Sequence, residues 1–363
     1  MIKKYRETSF LILTLILSSL YGDLYDKLPL KNREDGVKRI GVIGEGAWGT
    51  AISSVLADNG YQVNLWCVDK KVAQQINQEH KNDRYLPGFI LSPHIVAFVD
   101  LKDVANHDWV FISTPTKYFR DVVERCKPYY RMNQRWIILT KGIENKTLML
   151  PSQILAQILS SRVHFAILGG PSFAKDVMEK EVTGVNLAAT DQSIAEDVSL
   201  LMKNKYFRPF IIGDPLGIEL GGALKNVVAV LMGIALGVKW GDDTKALLFT
   251  CAWQEMVALA EALGAQNKTL QDLAGIGDLF LTVSGKSSKN LAVGTLFGEG
   301  KKLAAILKTT GYTPEGLNTI ESVKQLIKKY NLKLPLFNML YAVIFEGIDP
   351  RELVHVVAHE VHS

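Results

Sequence analysis

Short apolar runs alternate with polar or amphipathic segments from residue 38 to about residue 213. Seven of these runs predict β-strands, at residues 39–43, 63–68, 109–113, 136–139, 165–168, 185–189 and 210–212. Uninterrupted apolar strands separated by helices are typical of a parallel sheet that helices cover on both faces. We therefore predict an α/β fold with a doubly wound sheet for residues 38–214.

From Ile218 onward, apolar residues recur with helical periodicity and the strand pattern disappears. The helical pattern covers residues 223–238, 245–263, 291–298, 302–307, 317–330 and 337–345. We predict an all-α domain of residues 215–350, with the boundary near Asp214-Pro215, and a tail of residues 351–363.

A glycine-rich turn joins the first predicted strand to a helix. The turn has the spacing Gly44-x-Gly46-x-x-Gly49, and a second strand at residues 63–68 ends just before Asp69. In a dinucleotide-binding turn, the three glycines permit the tight turn, the approach of a pyrophosphate and close helix–strand packing. An ordinary βα turn is the alternative. The flanking strands and the acidic residue favour the dinucleotide site.

Composition narrows the functional class. The chain has 363 residues, 48% of them hydrophobic and 21% charged, which suits two globular domains. A net charge of +4 argues against a nucleic-acid partner. The three cysteines Cys67, Cys126 and Cys251 lie far apart, so we predict neither disulfides nor a metal site, and a cytoplasmic location.

The N-terminal extension, residues 1–37, resembles a signal peptide. Lys3, Lys4 and Arg6 precede an apolar run at residues 10–20, but no A-x-A cleavage site follows. The run is shorter than the roughly 20 residues that span a membrane. Export and weak membrane association through residues 8–21 remain alternatives to a spurious extension, which we favour.

Two lysines are candidates for acid–base chemistry. Lys225 lies near the start of a run that is apolar on all sides, where burial would lower its pKa towards neutrality. Lys141 follows the strand at residues 136–139, and ligands of doubly wound sheets bind at such strand ends. The alternatives are a snorkelling lysine at position 225 and a plain surface lysine at position 141.

Three further segments carry polar groups. Gly170 and Ser172 follow a predicted strand, Asp278 stands between glycine and apolar residues with Thr282 one turn later, and Ser288-Lys289-Asn290 precedes a helix. Helix N-termini with such groups can bind phosphate. A turn, a helix cap and a solvated N-cap are the respective alternatives.

Taken together, these motifs resemble the bacterial type of NAD(P)-dependent glycerol-3-phosphate dehydrogenase over about residues 38–350. The resemblance is carried by the segments at residues 44–51 (GEGAWGTA), 140–142 (TKG), 169–174 (GGPSFA), 221–227 (GGALKNV), 274–279 (AGIGDL) and 314–316 (PEG). It implies a Rossmann-type doubly wound sheet followed by an all-α substrate domain, with the active site between them.

The resemblance also implies residue roles. Lys225 would be the proton donor and acceptor, Lys141 the second lysine of the site, and Asp278 the residue that binds substrate and orients Lys225. Substrate-binding positions would be Lys141, Gly170, Ser172, Lys225, Asn226, Asp278, Thr282, Ser288, Lys289 and Asn290. Cofactor-binding positions would be Gly44, Gly46, Ala47, Trp48, Gly49, Asp69, Lys141, Ala174, Lys289, Thr313 and Glu315.

The chain departs from the family pattern at several positions. Lys289 replaces an arginine of Ser-Arg-Asn, Cys251 replaces the arginine of Thr-Arg, Pro314 replaces the valine of Val-Glu-Gly, and Val68 stands where bacterial members often carry His or Arg. Lysine offers phosphate a point charge rather than a bidentate fork. These changes bear on phosphate affinity and cofactor preference more than on the reaction class.

The function implied is reversible reduction of dihydroxyacetone phosphate to sn-glycerol 3-phosphate with NAD or NADP, for glycerophospholipid synthesis. A homodimer is expected, with this small molecule as its substrate. Two alternatives remain open: a catalytically weakened dinucleotide-binding sensor, and a related dehydrogenase for another hydroxy acid or phosphosugar.

Overall fold

The computed structural model describes residues 39–285, 287–310 and 313–359. The sequence-based predictions for residues 1–37 therefore lie outside the described residues.

The first part of the described chain is built around one sheet of eight strands, in the spatial order β3-β2-β1-β4-β5-β6-β7-β8. The strands are β1 (Arg39–Ile43), β2 (Gln62–Trp66), β3 (Ile95–Phe98), β4 (Trp109–Ile112), β5 (Arg135–Ile138), β6 (His164–Gly169), β7 (Thr183–Ala189) and β8 (Phe207–Ile211). From β1 the chain adds β2 and β3 on one side and then β4 and the later strands on the other side. The position between β1 and β4 is therefore the switch point of a doubly wound sheet.

Helices follow most of the strands. They are α1 (Ala47–Asp58), α2 (Lys70–Glu79), α3 (Lys102–Ala105), α4 (Thr116–Cys126), α5 (Pro151–Ile158), α6 (Ala174–Met178) and α7 (Gln192–Met202), with a 3₁₀ turn at Lys127–Tyr129. Two separate clusters of buried apolar residues include side chains of the central strands. This arrangement explains the continuous apolar strands: both faces of the sheet are buried.

The sheet differs from the prediction at two points. The strand β3 was not predicted, although residues 95–99 form a continuous apolar run like those of the other strands. The sheet was predicted to be parallel, and the pair of β6 and β7 departs from this, because these strands run antiparallel with Gly169 opposite Asn186. The connection between them carries only the five-residue helix α6, which packs against α1 and does not return the chain to the opposite end of the sheet.

The remainder of the described chain is helical. Its elements are α8 (Pro215–Gly237), α9 (Asp242–Ala262), α10 (Asn267–Leu270), a π-helical segment (Leu273–Gly277), α11 (Asp278–Ser284), α12 (Lys289–Gly298), α13 (Leu303–Thr310), α14 (Glu315–Tyr330), α15 (Pro335–Tyr341), a second π-helical segment (Ala342–Glu346) and α16 (Glu352–His359). The predicted fold class, an α/β sheet followed by an all-α part, is confirmed. In α16, which falls within the segment predicted as a tail, Leu353, Val356 and Val357 are buried in the helical core.

Helix α8 is the centre of this helical core. The Asp214 carboxylate caps it by accepting a hydrogen bond from the Gly217 N–H at 2.9 Å. Among the described helices, α8 alone is long and apolar enough to cross a membrane, and 83% of its most apolar window is buried within the protein. Its close partner is α12, because a Cβ on Gly294 would overlap the Val230 carbonyl oxygen. The two helices therefore touch backbone to backbone.

Candidate active site

The site lies at the carboxyl ends of the strands around the switch point. Gly44 follows β1, Lys141 comes shortly after β5, and Gly170 follows β6 directly. Helix α8 packs against the same edge, since a Cβ on Gly222 would lie 3.2 Å from Lys141 Cγ. Ligands of doubly wound sheets bind in the crevice at this edge.

One carboxylate joins the two candidate lysines. Asp278, the first residue of α11, accepts a hydrogen bond from Lys225 Nζ on its Oδ1 and from Lys141 Nζ on its Oδ2, the latter at 2.6 Å. Asp278 is only 1% exposed and Lys225 is 8% exposed. The structure thus brings together three residues from α8, from the loop after β5 and from the start of α11.

Burial decides the charge state of Lys225. Removal from water is the largest effect and lowers its pKa, the Asp278 carboxylate opposes this, and the positive charge of Lys141 adds to the lowering, so that the net pKa is about 8. Helix α8 is apolar on all sides and supplies the low-dielectric surroundings. The snorkelling alternative does not describe this lysine, because its ammonium ends on a buried carboxylate.

The chain holds Asp278 in place through close backbone packing. A Cβ on Gly221 would lie 2.5 Å from the Ala274 carbonyl oxygen, so α8 approaches the π-helical segment directly. The Asn186 side chain from β7 accepts the Ala274 N–H at 2.7 Å. Thr282 Oγ1 donates to the Asp278 carbonyl at 2.6 Å, so in this structure its hydroxyl binds the helix backbone.

Gly170 and Ser172 form the rim next to Lys141. Gly170 has φ +146°, and a Cβ there would lie 2.9 Å from Val185 Cα, so only glycine fits. Its carbonyl oxygen accepts from Lys141 Nζ at 3.5 Å and from Ser172 Oγ at 2.9 Å.

A chain of amides connects three helices beside Lys225. Asn290 Nδ2 donates to Asn226 Oδ1 at 2.9 Å, and Asn290 Oδ1 accepts the Gly316 N–H at 2.9 Å. Ser288 caps α12 by accepting the Leu291 N–H at 3.3 Å, whereas Lys289 is exposed. The N-cap alternative for Ser288 therefore describes its contact in this structure.

The glycine turn after β1 has the shape that a dinucleotide needs. Gly44 has φ +117°, and a Cβ on Gly49 would overlap the Gly44 carbonyl oxygen. A Cβ on Gly46 would meet nothing within 4 Å, so open space lies over the turn. Ala47 and Trp48 begin helix α1 and are half-buried, which places the helix N-terminus at this opening.

Three buried polar atoms near the end of β4 have no hydrogen-bond partner within the described chain. They are Thr114 Oγ1, Thr116 Oγ1 and Glu315 Oε2. Glu315 Oε1 accepts the Thr116 N–H at 3.0 Å, and burial raises the pKa of this carboxyl group. Buried polar groups without partners are costly, so these atoms fit a polar ligand such as a nicotinamide amide. The sequence analysis missed both threonines, although they follow a strand at the switch point.

The other predicted cofactor residues, Asp69, Ala174 and Thr313, lie in separate parts of the fold. The Asp69 carboxylate accepts the Lys71 N–H at 2.8 Å and pairs with Arg84, so it caps α2. Ala174 begins α6 and is half-buried, and Thr313 is exposed just before α14. The described residues contain no group of three or more His, Cys, Asp or Glu side chains that could hold a metal ion.

Comparisons with known proteins agree with the resemblance. Residues 39–195 match the family model for the N-terminus of NAD-dependent glycerol-3-phosphate dehydrogenase, and residues 214–355 match the model for its C-terminus. The NAD(P)+ glycerol-3-phosphate dehydrogenase of Teredinibacter turnerae is 39% identical over 317 residues, covering 87% of this chain and 93% of the relative.

Solved structures match over the same range. Glycerol-3-phosphate dehydrogenase from Coxiella burnetii superimposes with a TM-score of 0.85 at 31% identity, covering 90% of this chain and 100% of that one. The enzyme from Plasmodium falciparum gives a TM-score of 0.82 at 25% identity, covering 93% and 98%. The chain therefore belongs to the NAD-dependent glycerol-3-phosphate dehydrogenase family.

Proposed function

We propose that this chain interconverts dihydroxyacetone phosphate and sn-glycerol 3-phosphate with NAD or NADP. The observation that carries the proposal is the Asp278 carboxylate, which holds two lysines at the sheet edge where the glycine turn opens. A cofactor bound on that turn and a substrate bound beside Lys225 would meet at this edge.

Each charged residue then has a separate task. The cofactor, when bound, supplies hydride to the carbonyl carbon of the substrate. Lys225 donates a proton from Nζ to the oxygen that becomes negative, and accepts it back in the reverse direction. The ammonium of Lys141 stabilises the negative charge on that oxygen. Asp278 positions both ammonium groups.

The pKa of Lys225 suits both directions. Near pH 8 the protonated and neutral forms are present in comparable amounts, so the same amine can give and take a proton. An ordinary lysine, with a pKa above 10, would be a weak acid and would almost never be neutral. Burial in the apolar surroundings of α8 provides the difference.

The substrate phosphate is proposed to lie at the N-terminus of α12. Lys289 is exposed there, and the helix N-terminus adds N–H groups and a partial positive charge. The amide chain of Asn226 and Asn290 keeps this terminus beside Lys225. Gly170 and Ser172 would line the opposite rim.

The cofactor would be held by the glycine turn and by the groups near the end of β4. The Glu315 carboxyl group and the hydroxyls of Thr114 and Thr116 offer hydrogen bonds to the nicotinamide amide. Gly46 leaves room for the pyrophosphate, next to the α1 N-terminus. The nicotinamide and the pyrophosphate are common to NAD and NADP, so these contacts do not distinguish the two cofactors.

The proposal extends to the cellular role. The product, sn-glycerol 3-phosphate, would supply glycerophospholipid synthesis in the cytoplasm. All three cysteines are free and buried, which agrees with a reducing compartment. Homodimer formation and membrane association through residues 8–21 remain predictions.

The test is turnover of dihydroxyacetone phosphate with NADH and with NADPH, using dihydroxyacetone without phosphate as the control. We expect oxidation of the reduced cofactor with the phosphorylated compound and much slower oxidation with the control. Binding of cofactor without turnover would support the sensor alternative. Faster turnover of another hydroxy acid or phosphosugar would support a related dehydrogenase.

A further inference from the structure

Glu45, the residue between the first two glycines of the turn, has an unusual position. Its side chain reaches from the end of β1 to the end of β2, and the residue is 7% exposed. Its Oε2 accepts the Val68 N–H at 3.2 Å, and its Oε1 accepts the Asp69 N–H at 3.3 Å. One carboxylate thus accepts hydrogen bonds from two consecutive backbone N–H groups.

The backbone of Glu45 is fixed as well. Its carbonyl oxygen accepts from Asn82 Nδ2 at 2.8 Å and from Thr50 Oγ1 at 3.1 Å. Asn82 Nδ2 also donates to Thr50 Oγ1 at 2.8 Å, which closes the network. The carboxylate is therefore presented from a constrained turn rather than from a free loop.

The end of β2 is where a dinucleotide-binding sheet distinguishes its two cofactors. The ribose next to adenine lies there, and an acidic residue binds its 2′-hydroxyl in NAD-dependent proteins, whereas a cation accommodates the 2′-phosphate of NADP. Consecutive backbone N–H groups are themselves an anion site. In this chain the Glu45 carboxylate occupies that anion site.

The two carboxylates at the end of β2 disfavour an anion there. Burial is the main cause that raises the pKa of the Cys67 thiol, and the negative charges of Glu45 and Asp69 raise it further, so their potential reaches the end of the strand. Arg84, one of the neighbouring cations, is paired with Asp69, and Lys70 and Lys71 are exposed at the start of α2. Val68, whose N–H binds the Glu45 carboxylate, contributes no charge.

We propose that Glu45 makes this chain selective for NAD over NADP. Its carboxylate holds the two N–H groups that a 2′-phosphate would use and repels the phosphate, while it can accept a hydrogen bond from the 2′-hydroxyl of NAD. This inference rests on the proposed function, because it assumes that the glycine turn binds a dinucleotide. It assigns the selectivity to Glu45 rather than to Asp69, whose carboxylate caps α2.

The test is equilibrium binding of NADH and of NADPH to the full-length chain without substrate. Binding is measured by the quenching of protein fluorescence. The variants are Glu45→Gln, which removes the charge at nearly constant size, and Glu45→Ala, which frees both N–H groups. Glu79→Gln is the matched control, since it removes one exposed carboxylate from the far end of α2.

We expect wild type to bind NADH at least tenfold more tightly than NADPH. Both Glu45 variants should move the Kd ratio towards NADPH by tenfold or more, mainly by tightening NADPH, and Glu79→Gln should not move it. A wild-type chain without preference, or Glu45 variants that weaken both cofactors equally, would overturn the inference.

Failure of the proposed function gives a different pattern. In that case NADH would bind with the expected selectivity, but dihydroxyacetone phosphate would not be turned over. A chain that binds neither dinucleotide would refute both proposals.

Discussion

Replacement of Lys225 by methionine separates the chemistry of the site from its stability. Methionine has a similar length and volume but cannot donate a proton. Loss of a general acid typically lowers a rate by roughly 10²–10⁴-fold. We expect kcat for dihydroxyacetone phosphate reduction at neutral pH to fall within that range.

The structure also sets an expectation for stability. Burial shifts the pKa of Lys225 from 10.5 to about 8. At 1.36 kcal/mol per pKa unit, the charged lysine costs the folded state about 3 kcal/mol relative to its neutral form. Below pH 8 this cost is present in full, because the amine is protonated in both the folded and the unfolded chain. As pH rises from 8 to 10.5, the folded chain loses this proton before the unfolded chain does, so the contribution of Lys225 to the free energy of unfolding becomes more favourable to the folded state.

Methionine removes the buried charge, and Lys141 remains as a partner for Asp278. The variant should therefore melt at a temperature equal to or above that of wild type, while it loses activity. Activity is measured as the initial rate of cofactor oxidation. Stability is measured as the thermal unfolding transition, with circular dichroism as the signal. Lys328→Met, which removes an exposed lysine from α14, is the control for both measurements.

Two results would refute this reasoning. A folded Lys225→Met variant with more than a tenth of the wild-type kcat would remove Lys225 from the proton transfer. A marked fall in melting temperature would show that the ion pair with Asp278 outweighs the cost of burial.

Three further predictions concern the same regions. The kcat/KM of dihydroxyacetone phosphate reduction should fall as pH rises through about 8, because Lys225 must be protonated for the reduction. The kcat/KM of glycerol 3-phosphate oxidation should rise over the same range, because Lys225 must be neutral for the oxidation. Flat profiles between about pH 7 and 9 would contradict this assignment. Lys289→Arg should lower KM for dihydroxyacetone phosphate by up to about tenfold, since arginine binds phosphate bidentately; an unchanged or higher KM would place the phosphate elsewhere. Gly294→Ala should destabilise the chain by about 1–3 kcal/mol, because its Cβ overlaps a carbonyl of α8. Gly213→Ala, with no atom within 4 Å of its Cβ, is the control and should not destabilise it; equal denaturation midpoints for the two variants would refute this packing argument.

Apolar periodicity predicted most of the fold, because buried strands and buried helix faces leave direct traces in the sequence. Strand direction leaves no such trace. The run at β7 is as apolar as its parallel neighbours, yet it pairs antiparallel with β6, since the short helix α6 packs on α1 instead of crossing the sheet. The edge strand β3 was missed although its four residues are all apolar, so the sequence signal was present there and the omission has no physical cause.

The candidate site was predictable where a residue type is unusual in its local context. Lys225 beside an apolar run and Asp278 between glycine and apolar residues are such cases. Thr114 and Glu45 were not singled out, because a threonine after a strand and a glutamate in a turn are unremarkable in sequence. Their significance lies in contacts: one hydroxyl lacks a partner, and one carboxylate spans two strand ends.

The position of Lys225, more than its residue type, gives the site its chemistry. An exposed lysine at a helix start would keep a pKa above 10 and would be a poor proton donor at neutral pH. Lys225 is instead surrounded by the core of the helical part, because α8 is the helix that α12 approaches most closely through glycines such as Gly294. The packing that stabilises this part therefore also removes water from the amine. Asp278 keeps the lysine in place without restoring its ordinary pKa, since burial and Lys141 together outweigh the carboxylate. Core packing and acid–base chemistry thus depend on the same helix.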